Sequence, residues 1–209
     1  MPRLERGLTS LYRCRTALSE LREHFNALTP ARASWSAEVW PERSGLVVYR
    51  KSGNRIAEPM RWGIPRTILN GVRNGRPVST TMWFQRRNPT QSVRFENPWR
   101  CLIVLDSFAC PSGSPGARTR TWFGLDDRPI FAWAGVWAQV EDGKVFCGML
   151  APSNNVVFRP SMPVILDPDD YDLWLGGRLD RAAPLANRPY GEGRMYREEL
   201  GEPWGGDTR

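Results

Sequence analysis

Histidine is almost missing from this chain of 209 residues; His24 is the only one. A chain so built cannot assemble a histidine-rich zinc centre, and it has little imidazole for acid–base work near neutral pH. Lysine is nearly as scarce, with Lys51 and Lys144 alone. The four cysteines, Cys14, Cys101, Cys110 and Cys147, form no C-x-x-C pair, so no metal or cofactor is expected. They read as free thiols of a reducing compartment, and Cys101 and Cys147 fall in apolar, strand-like runs that bury small side chains. No apolar run approaches the roughly 18 residues that cross a bilayer, and Met1–Gly7 has no apolar signal stretch. The expectation is a cytoplasmic protein, monomeric and without a membrane partner.

What is present is a hydrophobic share of 41%, enough for one core and a single domain. The formal net charge is +7, and all but two of the 29 basic residues are arginine. Arginine offers phosphate a planar fork of donors and stacks on bases, which suits a nucleic-acid partner. A GC-rich genome produces the same bias. Ten tryptophans serve equally as core or, beside arginine, as a stacking surface for unpaired bases.

Along the chain, Leu11–Arg15 reads as a strand. A helix follows with Thr16 as N-cap and Leu18, Leu21, Phe25 and Leu28 on one apolar face. His24 lies on or beside that face. Leu46–Ala57 reads as a hairpin turned by Ser52-Gly53-Asn54, and Trp62-Gly-Ile-Pro65 ends the next strand. Residues 66–98 read as a long irregular region. Cys101–Leu105 reads as a buried strand, and Pro111–Gly116 as a loop. Strands follow at 119–125, 130–139 and 145–150. Asp167 then caps a helix with Pro168 at its first position. The pattern predicts an α+β domain, strand-rich, with a mixed or antiparallel barrel-like sheet and peripheral helices. The expected boundaries are an N-terminal extension 1–8, the domain 9–175, and a peripheral Gly-, Pro- and Arg-rich segment 176–209.

Several segments occur in a recognisable order: Leu11-Tyr12 before a helix, Met60-Arg-Trp-Gly63, Val72-Arg-Asn74, Arg100-Cys-Leu102, and the apolar strand Phe131–Trp137 ending Ala-Gly-Val-Trp. Together they resemble the SOS response-associated peptidase family, the SRAP domain proteins, from about Leu8 to Leu175. The resemblance implies a single domain that binds single-stranded DNA and traps abasic sites. In the family, an N-terminal cysteine joins its amine and thiol to the abasic aldehyde, while a glutamate and a histidine manage protons. Here the matching positions differ. Thr9 stands at the cysteine position behind residues 1–8. Cys110, in Ser107-Phe-Ala-Cys110, stands at the acidic position. The histidine is replaced by Arg159 or lost in a short deletion. The family asparagine falls on Gly71, with Asn70 one step away.

The resemblance therefore implies binding of single-stranded or abasic DNA without the thiol cross-link. Arg61, Arg73 and Arg159 would contact phosphates, Asn70 would help to position the strand, and Trp62 would stack on a base. Against this stands the reading of Trp62 as core and of the arginines as a solvated face. An enzyme reading keeps abasic-site lyase, cross-linking or peptidase activity through relocated groups, either Thr9 exposed by removal of residues 1–8 or Cys110 as an activated thiol. A structural or protein-binding role is a third reading.

Overall fold

The computed structural model describes residues 10–65, 80–81, 83–84, 99–153 and 161–205. Its first strand, β1 (Leu11–Arg13), leads into helix α1 (Leu18–Phe25). The N-cap is Ala17, one residue past the expected Thr16. Alanine has no acceptor, so the Glu20 carboxylate supplies the local bonds, accepting from Ala17 N at 2.7 Å and Thr16 Oγ1 at 2.8 Å. Leu21 and Phe25 are buried, whereas Leu28 is 60% exposed and His24 faces solvent. Leu28 leaves the apolar face because Asn26, in the left-handed region, ends the helix before it.

Two short strands, β2 (Ala27–Leu28) and β3 (Glu38–Val39), precede the hairpin of β4 (Ser44–Lys51) and β5 (Asn54–Trp62). The turn lies where Ser52-Gly53-Asn54 required it, with Lys51 opposite Asn54. After β6 (Ile64–Pro65), β7 (Thr80–Thr81) and β8 (Trp83–Phe84) come the long strands. These are β9 (Arg100–Leu105), β10 (Ser107–Ser112), β11 (Thr119–Leu125), β12 (Phe131–Val140) and β13 (Gly143–Pro152). The chain finishes with β14 (Ser161–Pro163), β15 (Ile165–Leu166), α2 (Tyr171–Gly176), α3 (Leu179–Ala182) and β16 (Met195–Pro203).

The larger sheet closes on itself. β9 pairs with β4 and β12, β4 with β5, and β12 with β13; the ring shuts through a parallel contact of β5 with β13, Arg61 beside Val145 and Trp62 beside Phe146. The smaller sheet is antiparallel, ordered β16-β11-β10-β1-β3. One face of it carries Tyr12, Phe108 and Phe123 into the main core; the other carries Leu11, Ala109 and Trp122 into a small separate cluster. The fold is thus α+β with a barrel-like mixed sheet, as expected.

The segment after residue 175 corrects the expectation of a peripheral tail. Leu185, Ala186 and Tyr190 are buried in the main core, and β16 pairs with β11 from Met195 to Pro203. Asp167 does precede Pro168 at the head of a helical turn, but its carboxylate makes no cap bond. It accepts from Arg128 at 2.6 Å and Arg194 at 3.2 Å, tying the β11–β12 turn to the C-terminal segment. No helix among the described residues is long and apolar enough to cross a membrane.

Candidate nucleic-acid interface

Arg61 and Trp62 end β5, and alternation sends them to opposite sides. Arg61 is exposed, with its side chain 43% accessible, and is paired at 2.8 Å with the equally open Glu42. Such a surface pair is worth under about 1 kcal/mol and yields readily to a phosphate. Trp62 is fully buried. Its ring meets Tyr12 at 5.2 Å, Trp133 at 5.9 Å and Phe146 at 6.4 Å between centroids, the last nearly parallel. Its backbone is fixed as well, since Trp62 N donates to Arg43 O and Trp62 O accepts from Glu42 N, both at 2.9 Å. The expectation that Trp62 stacks on a base is corrected: its faces are taken by aromatic neighbours across the closed sheet.

Cys110 lies in β10 opposite Thr121 and is buried with 7% exposure. Burial pushes its thiol from 9.0 up to about 12. A neutral, enclosed thiol is a poor nucleophile at neutral pH, which weighs against the activated-thiol reading of this residue. Around it runs a strip of neutral donors. Thr121 Oγ1 donates to Ser112 Oγ at 2.8 Å, and Ser112 Oγ lies 3.2 Å from Thr119 Oγ1. These hydroxyls escaped the sequence reading, although Cys110-x-Ser112 and Thr119-x-Thr121 alternate as same-face residues of paired strands must. Thr9, Asn70, Arg73 and Arg159 lie outside the described residues, so the expected site is represented by Arg61, Trp62 and Cys110 alone.

A second polar group was also missed. Lys144 Nζ donates to Tyr49 Oη at 2.8 Å and to Glu58, and Tyr49 Oη donates to Glu58 at 2.7 Å. The ammonium sits 4.9 Å from the Tyr49 ring centroid and 5.7 Å from that of Trp137. Burial lowers the Lys144 pKa, but bonds to Glu58 and Tyr49 outweigh it and leave the group above its ordinary value. It is a fixed cation and not an amine poised to attack a carbonyl. Among the described residues no group of three His, Cys, Asp or Glu side chains is arranged to hold a metal.

The ring-like sheet flanked by an antiparallel one is the fold of several solved bacterial structures. A protein from Bordetella bronchiseptica matches with a TM-score of 0.72 and 20% identity, covering 91% of this chain and 99% of that one. One from Bacteroides thetaiotaomicron matches with a TM-score of 0.72 at 13% identity, covering 91% of each chain. A phage-related protein from B. bronchiseptica also gives 0.72, at 14% identity over 91% and 93% of the two chains. No curated relative matches. The model of the SOS response associated peptidase (SRAP) family matches residues 10–198. The chain belongs to that family, and so to a group of DNA-damage-response proteins.

Proposed function

We propose that this protein binds single-stranded or abasic-site DNA and does not form the family's thiol-based covalent link. The observation that carries the second half is Cys110. At the position where the resemblance calls for an acid, the chain holds a buried, protonated thiol and no group able to shuttle protons at neutral pH. The first half is supported by family membership and by a net charge of +7 borne by arginine. Arg61 is the described member of the phosphate-binding set; Arg73 and Arg159, with Asn70, complete the proposal. With Trp62 withdrawn into the core, contact to bases falls to other residues, and recognition is dominated by phosphate.

The test is fluorescence anisotropy of a labelled strand and of its duplex at several salt concentrations. Single strands bind more tightly, and the affinity falls linearly on a log–log plot with a slope of about −0.7 per phosphate neutralised. Absence of binding at low salt rejects the reading.

A further inference from the structure

The face of the smaller sheet turned away from the main core carries a compact group of arginine, glutamate and tryptophan. The Arg13 guanidinium carbon lies over the buried Trp122 ring, 3.6 Å from its centroid, and that of Arg120 lies 5.4 Å from Trp40. Both arginines are about nine-tenths buried. Glu38 on β3 takes Arg13 Nε at 3.0 Å and Arg120 Nη1 at 3.2 Å. A second carboxylate, Glu202, comes from the end of β16. It accepts from Arg13 Nη2 at 3.4 Å, Arg120 Nη1 at 3.3 Å and the Trp122 indole N–H at 3.2 Å. Arg120 Nε is buried beside them with no partner.

The two carboxylates are held differently. Glu38 lies in the two-residue edge strand β3, in regular register opposite Arg13. Glu202 follows a register break in β16 and Gly201, whose φ of +67° turns the chain inward. Around it Leu200, Gly201, Pro203 and Gly205 are exposed. Glu202 and Trp204 turn their side chains onto the sheet, the Trp204 ring lying 5.8 Å from that of Trp40, while the Trp204 backbone N–H donates to Arg118 O at 2.8 Å. The bonds to Glu202 are longer than the roughly 2.7–2.9 Å of strong charge-assisted pairs. Two guanidinium forks and an indole N–H converging on one anion, with a spare buried donor, form a donor set suited to a phosphate group. The strap is held by the end of the β11–β16 ladder, with Pro203 beside Thr119, and by the Glu202 charge and the Trp204 ring; as an exposed sheet edge with little apolar burial it opens more readily than the core.

We infer that Arg13, Arg120 and the Trp122 indole form a phosphate site for an unpaired nucleic-acid strand, with Trp40 as its neighbouring ring, and that Glu202 occupies this site until the strand displaces it. Two cations against two carboxylates leave the closed cluster neutral; lifting the strap leaves one positive charge. The identity of the ligand rests on the DNA-binding reading above, but the site itself does not.

Full-length wild-type protein, Glu202→Gln and Glu202→Gln/Arg13→Gln are titrated with inorganic pyrophosphate, followed by tryptophan emission, and with a labelled single strand, followed by anisotropy. Thermal denaturation checks that each variant is folded. Glu202→Gln binds both probes on the order of fivefold more tightly than wild type, and the added Arg13→Gln removes the gain. An unchanged or weaker affinity of folded Glu202→Gln for pyrophosphate overturns the proposal, as does a gain toward pyrophosphate with none toward the strand. Strand binding by Glu202→Gln but not by wild type would reject the exposed-arginine reading and keep this one; no strand binding by either overturns both.

Discussion

At the scale of single residues, burial decides what each side chain can do. Trp62 was open to two readings because Arg61-Trp62-Gly63 sits at a strand end, where alternation leaves the inward side undetermined. The closed sheet settles it, with Tyr12, Trp133 and Phe146 around the ring. Trp62→Ala should therefore cost about 3–5 kcal/mol of stability, as large buried aromatics do. Urea denaturation measures that loss, and the folded fraction of the variant should bind a single strand as wild type does. The thiols make a second case. Burial raises all four cysteines, Cys14 and Cys110 to about 12. An unfolded thiol ionises near 9, so above that pH the unfolded chain loses protons that the native chain keeps. Stability from these groups is full below pH 9 and drains as pH rises through the elevated native values. The urea midpoint should fall steeply between pH 9 and 11. Native protein at pH 8 should resist a thiol reagent that labels all four cysteines once urea is added.

At the scale of elements, the clasp between the β11–β12 turn and the C-terminal segment has a similar pH signature of opposite sign. Burial raises the Asp167 carboxyl, but the bonds from Arg128 and Arg194 outweigh it and hold the group below the usual carboxylate range. Its contribution is present above the ordinary carboxylate pKa and is lost as pH falls through the depressed one. Asp167→Asn should lower stability by about 1–3 kcal/mol near neutral pH, the size of hydrogen bonds to charged groups, and the gap to wild type should close in acid; calorimetry at pH 7 and 3 shows both. Most elements were legible because their cues are local. Ser52-Gly53-Asn54 turned the hairpin, and Cys101–Leu105 and Phe131–Trp137 announced buried strands by continuous apolar runs. β16 was not legible, since Met195-Tyr-Arg-Glu-Glu-Leu-Gly-Glu-Pro203 is an exposed edge strand whose charged residues hide the alternation. The parallel β5–β13 seam was equally hidden, because no local signal reports a pairing between distant segments. Of the candidate site, Arg61 and Trp62 could be picked out from the strand-end motif, but the depth of Trp62 and Cys110 required the sheet.

At the scale of the molecule, a chain of a DNA-damage-response family carries a net charge of +7 and encloses its Cys110 thiol. The consequence is testable with abasic DNA. Incubation with a glycosylase-treated oligonucleotide followed by a denaturing gel should give no heat-stable shifted band, since Cys110 is protonated and enclosed. A band that survives heat and disappears in Cys110→Ser would refute this. The seam that closes the ring has a further consequence, for how the chain reaches this shape. Arg61 meets Val145 and Trp62 meets Phe146 only after roughly 80 intervening residues have been brought around. The entropy of closing so long a loop is lost before the contact returns anything. Topologies dominated by such distant pairings fold in milliseconds to seconds, where local ones take microseconds. Until the seam forms, β5 and β13 each have an edge left to pair, so the yield of refolded protein should fall as concentration and temperature rise.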